Sequence, residues 1–345
     1  MRARPLCVGV LHDFPRPDGG AAFEQALRLG IDEVEATGRL PAPVTFAHER
    51  AHPPDHDVPS AFARLARQGV VAMLGPALTD GALVVGALAD AAHLPCINYA
   101  GNERARSAYL FHFQLGSLED EPALLVGDLA RRGLGRFALL RDTSPVGERM
   151  AGFVEDAAAT AGCEIATHLP VEPDGAGGAA AVDTARRARP DALLFVGFWR
   201  AAHAVALAMR ARGWRLPARA NSALMYGHAD PAWARDWDGW TYADTVSETN
   251  PRLAALAAAG LPTGPGEAAA YDMGRLLAEG IARAPDLTGP GIRAGLERVK
   301  ALPAATGHAG TVMGFGHCDR GALKGPYLVL RTWRDGRSVP QAEPA

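Results

Sequence analysis

The sequence alternates short apolar runs with amphipathic helical segments over most of its 345 residues. The first such runs are "LCVGVLH", "VTFAH", "VVAML", "PCINY" and "YLFHFQL". Between them, apolar residues recur at helical spacing, as in the segment that ends at Gly38. Strands that are apolar on both faces and separated by helices form parallel sheets that are covered by helices on each side. The pattern therefore predicts an α/β fold with a doubly wound parallel sheet.

A second, similar series begins near residue 118. Its predicted strands are "RFALLRD", "CEIATHL" and "DALLFVGF", again with helical segments between them. Helical stretches follow at 250–259, 266–283 and 290–299, and the last strand-like segment is "GPYLVLRTWRDG". A chain of 345 residues is too long for one ordinary hydrophobic core. We therefore expect two doubly wound lobes.

The stretch "LGPALTDGALVVGALADAAHLPCINYAGN", residues 74–102, combines a strand, a tight turn, a helix and a second strand. The strand runs into Gly75-Pro76, and Thr79 and Asp80 then begin the helix. We expect the Thr79 hydroxyl to cap this helix. The N-terminus of a helix also attracts a carboxylate, a phosphate or a carbonyl oxygen. Capping alone and ligand binding both remain open at this position.

Composition and charge exclude several classes of function. Hydrophobic residues make up 48% and charged residues 21% of the chain, which is typical of a globular protein rather than a disordered one. The net charge is −3 and the basic residues are scattered, so we expect no nucleic-acid surface. The densest apolar runs contain an Asp and are too short to span a membrane. A strand begins by residue 6, which leaves no room for a secretory signal. The protein is therefore periplasmic or extracellular if a signal was trimmed, and cytoplasmic if Met1 is the native start.

The motifs of common enzyme and metal sites are missing. The sequence has no G-x-G-x-x-G after its first strand, no phosphate-binding P-loop and no G-x-S-x-G nucleophile motif. Its four cysteines have no C-x-x-C spacing. His48, His52 and His56 are four apart, but Pro53 and Pro54 forbid the continuous helix that such a zinc site needs. We expect no catalytic residue, no metal and no cofactor.

Four segments together resemble the type I periplasmic binding proteins, and specifically the leucine/isoleucine/valine-binding family of solute receptors for ABC transporters. The segments are "GVVAMLGPALTDGALVVGALADAAHLPCINYAGN", "LGRFALLRDTSPVGERMAGFVEDAAATAGCEI", "ARPDALLFVGF" and "AAAYDMGRLLAEGIARA". The resemblance implies two doubly wound lobes joined by three crossovers, which close on a ligand in the cleft between them. It places lobe one at residues 1–117 and 246–316, and lobe two at residues 118–245 and 317–345.

The resemblance also implies ligand contacts in lobe one. Thr79 stands where the family uses a Ser or Thr that holds a ligand carboxylate through its hydroxyl and backbone N–H. Ala100 and Asn102 stand where the family places a backbone amide or carbonyl and a Thr side chain. Asn102 departs from that Thr but keeps a polar group, and its alternative role is to cap the next turn. The other candidates in this lobe are Asp13, Phe14, Leu78, Asn98 and Tyr99.

In lobe two the resemblance places Val146 where many members carry a Tyr. Phe198 and Trp199 follow a predicted strand, although aromatic residues there also pack helices against sheets. Met225 and Tyr226 fall where amino-acid-binding members place an acidic group for the ligand ammonium. The segment "NSALMYG" has no carboxylate, which leaves Asp244 or Glu248 as a replacement.

Together these features predict a solute-binding protein that captures an amino acid, carboxylate or amide with an apolar or aromatic body. The expected partners are this small ligand and either an ABC permease or a regulator protein. The alternative is a cytoplasmic ligand sensor of the same fold that signals to the regulator. A buried ammonium needs a negative partner, so the missing carboxylate weakens the case for an ordinary α-amino acid.

Overall fold

The computed structural model of the protein describes residues 4–14, 20–51 and 57–342. In chain order, the strands are β1 (Leu6–His12), β2 (Val44–Arg50), β3 (Ala72–Leu74), β4 (Cys96–Asn98), β5 (Leu110–His112), β6 (Arg136–Asp142), β7 (Glu164–Val171), β8 (Ala192–Val196), β9 (Ala218–Ala220), β10 (Thr241–Asp244), β11 (Leu302–Pro303), β12 (Val312–Met313), β13 (Leu323–Lys324), β14 (Val329–Arg334) and β15 (Arg337–Pro340).

The helices alternate with these strands. They are α1 (Ala21–Glu35), α2 (Val58–Arg67), α3 (Thr79–Ala92), α4 (Asp120–Arg131), α5 (Pro145–Ala161), α6 (Gly178–Arg187), α7 (Trp199–Ala211), α8 (Pro231–Asp236), α9 (Leu253–Ala258), α10 (Pro265–Arg283) and α11 (Gly289–Leu296). One 3₁₀ helix, Ser222–His228, lies between β9 and α8. We refer to it below as the 3₁₀ helix.

The chain forms two compact units. The described residues up to Leu115 and the segment Thr245–Tyr327 make the first unit. The segment Gly116–Asp244 and the described residues from Leu328 onward make the second. The chain therefore passes from one unit to the other three times.

The first unit contains a five-stranded parallel sheet in the order β2-β1-β3-β4-β5. Its central strands are apolar and buried on both faces, as the sequence pattern predicts. Helices α1 and α10 pack closely because glycines lie at their contact. A Cβ on Gly30 would lie 2.1 Å from the Tyr271 carbonyl oxygen, and one on Gly274 would lie 2.3 Å from that of Leu27. Neither position tolerates a side chain without moving a helix.

The end of the first unit differs from the predicted boundary. The sequence placed residues 317–345 in the second lobe, whereas residues 317–327 lie in the first unit. Strand β13 pairs with β12 in a small antiparallel sheet, and Gly321 forms a bridge to His112 at the end of β5. The bridge to His112 joins distant parts of the chain, and β12 and β13 have only two residues each, so no local pattern reveals these pairings.

The second unit contains a seven-stranded sheet in the order β15-β14-β10-β9-β8-β6-β7. Strands β6 to β10 are parallel, and the C-terminal hairpin β14–β15 adds an antiparallel edge. The buried face of α7 packs on this sheet together with the 3₁₀ helix and three tryptophans, Trp237, Trp240 and Trp333. In each unit, the loops after the parallel strands and the helix N-termini share one edge of the sheet, where ligands bind in open α/β sheets.

Candidate functional site

Asp13 holds the start of α3 in the first unit. It follows β1 directly, its side chain is buried, and its two carboxylate oxygens accept hydrogen bonds from the N–H groups of Ala77 (2.7 Å) and Leu78 (2.9 Å). A Cβ on Gly81 would lie 2.9 Å from Asp13 Oδ2, so the first turn of the helix sits against this carboxylate. Asp13 therefore positions the loop, and the partly exposed Phe14 follows it.

Thr79 is the first residue of α3 and does not cap it. Leu78 occupies the capping position, and no side chain caps the helix. The predicted cap is therefore wrong by one residue. The Thr79 hydroxyl makes no hydrogen bond to any described residue and is partly exposed. Because the first N–H groups of a helix have no acceptor inside it, Thr79 lies beside a cluster of donors at the positive end of the helix dipole.

Asn98 shapes the loop that follows β4. Its side-chain amide donates to the carbonyl oxygens of Ala105 and Phe111, both at 2.8 Å, and its Oδ1 accepts the N–H of Ala100 at 3.2 Å. Tyr99 is nearly buried against Phe23, with ring centroids 5.5 Å apart. Its N–H donates to the Pro76 carbonyl at 3.1 Å, which ties this loop to the loop before α3.

Ala100 and Asn102 are engaged within the protein. Ala100 is fully buried, and its carbonyl oxygen accepts a hydrogen bond from His112 Nε2 at 2.6 Å. Asn102 is nearly buried, and its Oδ1 accepts the N–H of Arg104 at 2.9 Å, which is the turn-capping role left open by the sequence. Their part in ligand binding stays a prediction.

The sequence analysis missed His112, which lies at the end of β5. Its Nδ1 accepts a hydrogen bond from Arg106 Nε at 3.1 Å, so its Nε2 carries the proton that it donates to Ala100. Burial, with a smaller contribution from the nearby Arg106 charge, lowers the pKa of His112 to about 3. The ring is therefore neutral at physiological pH. The signal was a single histidine inside the apolar run "YLFHFQL".

Asp142 plays in the second unit the part that Asp13 plays in the first. It is the last residue of β6, is buried, and accepts hydrogen bonds from the N–H of Phe198 at 2.5 Å and from the Ser144 hydroxyl at 2.5 Å. Gly197 has φ of +137°, and a Cβ on it would lie 2.5 Å from the Asp142 carboxyl group. Each unit therefore uses a buried Asp at the C-terminal end of its first strand to set the loop before a helix N-terminus. The endings "VLHD" and "LLRD" carried this signal.

Aromatic side chains gather at the start of α7 and in the 3₁₀ helix. The rings of Trp199 and Tyr226 stack with centroids 5.1 Å apart and an interplanar angle of 8°. Phe198 meets Trp199 edge-on at 5.7 Å, and Trp233 lies against Tyr226 at 5.2 Å. All four are partly exposed. The structure thus brings together three residues that the sequence singled out from two distant segments.

Part of this aromatic group also packs against the hydrophobic core. Trp199, Met225 and Tyr226 pack against the hydrophobic core of the second unit, and for Trp199 this is the alternative that the sequence left open. Val146 lies in the first turn of α5, where it is partly buried against the other core cluster of that unit. Packing and ligand contact are compatible for a half-buried aromatic residue, because one face remains available.

Asp244 is fully buried and lies among other polar side chains. Its Oδ2 is 3.4 Å from His228 Nε2 and 3.8 Å from Arg331 Nε. The sequence analysis missed both partners, of which Arg331 lies 87 residues away on β14. A carboxylate that neighbours Arg331 is already partly compensated, which weakens its case as a partner for a ligand ammonium.

The described part of the chain offers no metal centre and no membrane-spanning helix. No group of three or more His, Cys, Asp or Glu side chains among the described residues is arranged to hold a metal ion. His48 instead contacts His12, with Nδ1 and Nε2 3.0 Å apart, while His52 and His56 lie outside the described residues. No described helix is both long and apolar enough to cross a bilayer.

Solved structures of similar proteins cover almost the whole chain. A substrate-binding protein of an ABC transporter from Desulfitobacterium hafniense, in complex with Leu, is 18% identical with a TM-score of 0.82, covering 98% of this chain and 100% of its own. The leucine binding protein LivK from Thermotoga maritima is 15% identical with a TM-score of 0.79 and 98% coverage of both chains. The LivJ protein from Streptococcus pneumoniae, in complex with isoleucine, is 18% identical with a TM-score of 0.79, covering 97% of this chain and 98% of its own.

These similarities confirm the predicted α/β class and the type I periplasmic binding protein fold. No curated protein matches the chain. Residues 7–335 match the family described as periplasmic binding protein, which is a family of binding proteins rather than enzymes. Because this match spans nearly the full length, the chain belongs to the periplasmic binding protein family.

Proposed function

We propose that the protein binds a small organic solute with a carboxylate or amide end and an apolar or aromatic body, and delivers it to an ABC transporter. The observation that carries this proposal is the start of α3, where the Thr79 hydroxyl has no hydrogen-bond partner among the described residues and no side chain caps the helix. An oxygen-rich ligand group satisfies such donors.

Asp13 supports this role without competing for the ligand. Its carboxylate is buried and engages the N–H groups of Ala77 and Leu78, which precede the helix. The helix start is therefore held in place before a ligand arrives, and a preorganised site binds more tightly than one that must be ordered.

The aromatic group supports an apolar or aromatic ligand body. Trp199 and Tyr226 form a stacked pair, and Phe198 and Met225 lie beside them in the sequence. Planar and branched apolar groups pack well on such rings. We propose that these four residues contact the body of the ligand.

A free α-amino group is optional for this ligand. The 3₁₀ helix carries no carboxylate, Asp244 neighbours Arg331, and the Ala100 carbonyl already accepts a hydrogen bond from His112. An ammonium group buried without an acceptor is costly. Two similar solved proteins hold leucine or isoleucine, which are free amino acids. The ligand test must therefore include ligands with and without the α-amino group.

We favour transport over intracellular sensing. One similar solved protein is described as an ABC transporter substrate-binding protein, and another as a branched-chain amino acid transporter substrate binding protein. We therefore propose an ABC permease as the partner, and a place of action outside the cytoplasmic membrane. Enclosure of the ligand between the two lobes stays a prediction from the family resemblance.

The Thr79 anchor is tested by calorimetric titration of the Thr79→Val variant with 3-phenylpropanoate. This substitution keeps the volume but removes the hydroxyl, so we expect a loss of about 1–3 kcal/mol in binding free energy because the partner is charged. Thr263→Val is the matched control, since Thr263 is exposed and makes no described hydrogen bond. Equal dissociation constants for wild type and Thr79→Val would remove Thr79 from the site.

A further inference from the structure

A buried carboxylate joins three segments of the second unit. Glu121 lies in the first turn of α4 and is 1% exposed. Its Oε1 accepts the N–H of Ser117 at 2.6 Å, and its Oε2 accepts the N–H of Ser222 at 2.7 Å. Ser117 is the second residue after the chain enters this unit, and Ser222 is the first residue of the 3₁₀ helix.

Gly116 and Ser222 pack closely around this carboxylate. A Cβ on Gly116 would lie 2.7 Å from Glu121 Oε1 and 2.7 Å from the Ser222 hydroxyl oxygen. Gly116 also has φ of +96°, which favours glycine. The crossover segment, the start of α4 and the start of the 3₁₀ helix therefore meet within hydrogen-bond distance of one side chain.

The rest of the 3₁₀ helix is held by contacts with β14 and β10. Trp333 on β14 donates its indole N–H to the Leu224 carbonyl at 3.2 Å, and its ring fills the space where Gly227 would carry a Cβ. At the far end, His228 Nε2 lies 3.3 Å from the Tyr242 hydroxyl and 3.4 Å from Asp244. The contact at Ser222 connects this helix to the crossover at Gly116–Ser117.

We propose that Glu121 is a positioning residue for ligand binding, which fixes the start of the 3₁₀ helix and so sets Met225 and Tyr226 against the ligand body. This inference rests on the proposed function for the ligand contacts, but the positioning itself does not depend on a ligand. Charged hydrogen-bond acceptors are stronger than neutral ones, and a carboxylate near a helix N-terminus is further stabilised by the helix dipole. Glu121 can therefore hold these distant segments in a fixed arrangement.

The first test measures amide hydrogen exchange of ligand-free protein. Glu121→Gln places a donor NH₂ group against one of the two backbone N–H groups and removes the negative charge, so one hydrogen bond is lost and the other is weakened. We expect exchange in residues 222–228 to become about tenfold faster, while exchange in the first unit stays unchanged. Glu119→Gln is the control, because Glu119 pairs with Arg149 on α5 and does not contact the 3₁₀ helix. Unchanged exchange at 222–228 in a folded Glu121→Gln protein would overturn the proposal.

The second test measures selectivity by titration with 3-phenylpropanoate and with 4-methylpentanoate. We expect Glu121→Gln to weaken binding of the aromatic probe about tenfold and to lower its preference over the aliphatic one, because Tyr226 is displaced. Faster exchange with unchanged affinity and preference would overturn the link to the ligand. A wild-type protein that binds neither probe contradicts the proposed ligand class, and hydrogen exchange still decides the positioning role. If Glu121→Gln does not fold, Glu121→Asp keeps the charge but reaches only one N–H group. We then expect faster exchange at 222–228 than in wild type, and unchanged exchange there would overturn the proposal.

Discussion

At the scale of single residues, buried polar side chains do more than the sequence pattern suggests. Asp13 and Asp142 lie at the C-terminal end of the first strand of each unit, and each accepts backbone N–H groups from the loop before a helix. Burial of a carboxylate is tolerated only when such hydrogen bonds compensate it. These two residues explain why the N-termini of α3 and α7 begin where they do.

Gly197 tests the Asp142 arrangement. Gly197→Ala places a Cβ 2.5 Å from the carboxyl group and keeps a strained φ of +137°, so we expect unfolding free energy to fall by about 2–4 kcal/mol. Gly152 on α5 has no atom within 4 Å of its Cβ position, and Gly152→Ala should stabilise the protein by about 0.5–1 kcal/mol. Urea unfolding measures both variants. Equal effects of the two substitutions would contradict the close contact at Asp142.

His112 gives a prediction about pH. Its pKa falls from 6.5 to about 3 on folding, so the unfolded chain binds a proton that the folded one does not. Its contribution to stability is therefore complete above pH 6.5 and is lost as pH falls toward 3.

We expect wild type to lose about 1.4 kcal/mol more per pH unit than His112→Gln below pH 6. Because both proteins contain every other titrating group, their difference isolates His112. Urea unfolding at pH 7, 6 and 5 measures it, and parallel curves for the two proteins would show that His112 is not buried as a neutral ring.

At the scale of elements, the sequence pattern predicted most of the strands and helices but not their exact starts. The alternation of apolar runs and helical periodicity placed α3 within 74–102. It could not show that Leu78 takes the capping position, because this depends on Asp13, which lies 65 residues earlier. Long-range hydrogen bonds of this kind set helix boundaries and leave no local mark in the sequence.

The pair formed by the start of α7 and the 3₁₀ helix makes a spectroscopic prediction. All six tryptophans, Trp199, Trp214, Trp233, Trp237, Trp240 and Trp333, lie in the second unit. If the ligand body contacts Trp199, binding should change tryptophan emission, and Trp199→Phe should remove most of that change. Trp214→Phe is the control, since Trp214 packs against the same core but does not stack on Tyr226. A full emission change in Trp199→Phe would place the ligand elsewhere.

At the scale of the whole molecule, the order of motifs identified the fold although each motif was weak alone. The hydrogen bonds that connect distant segments could not be predicted, because the two residues of each bond are far apart in the chain. Glu121 and Ser222 are separated by 101 residues, and Phe198 and Asp142 by 56. The same distance hid Arg331, which changes the interpretation of Asp244 from a free acid to a neighbour of a buried cation. The sequence therefore indicated the sheet edges that carry the candidate site, but not the hydrogen-bond partners of the side chains there.

The most direct measurement is a thermal-shift comparison of matched ligands: leucine and phenylalanine, their amides, and the corresponding acids without the amino group. Binding to the folded protein alone raises the melting temperature in proportion to RT ln(1 + [L]/Kd). We predict that the acids without an amino group, or the amides, stabilise the protein at least as much as the free amino acids do. Stabilisation by free amino acids alone would contradict this account, because a buried acid would then have to serve the ligand ammonium.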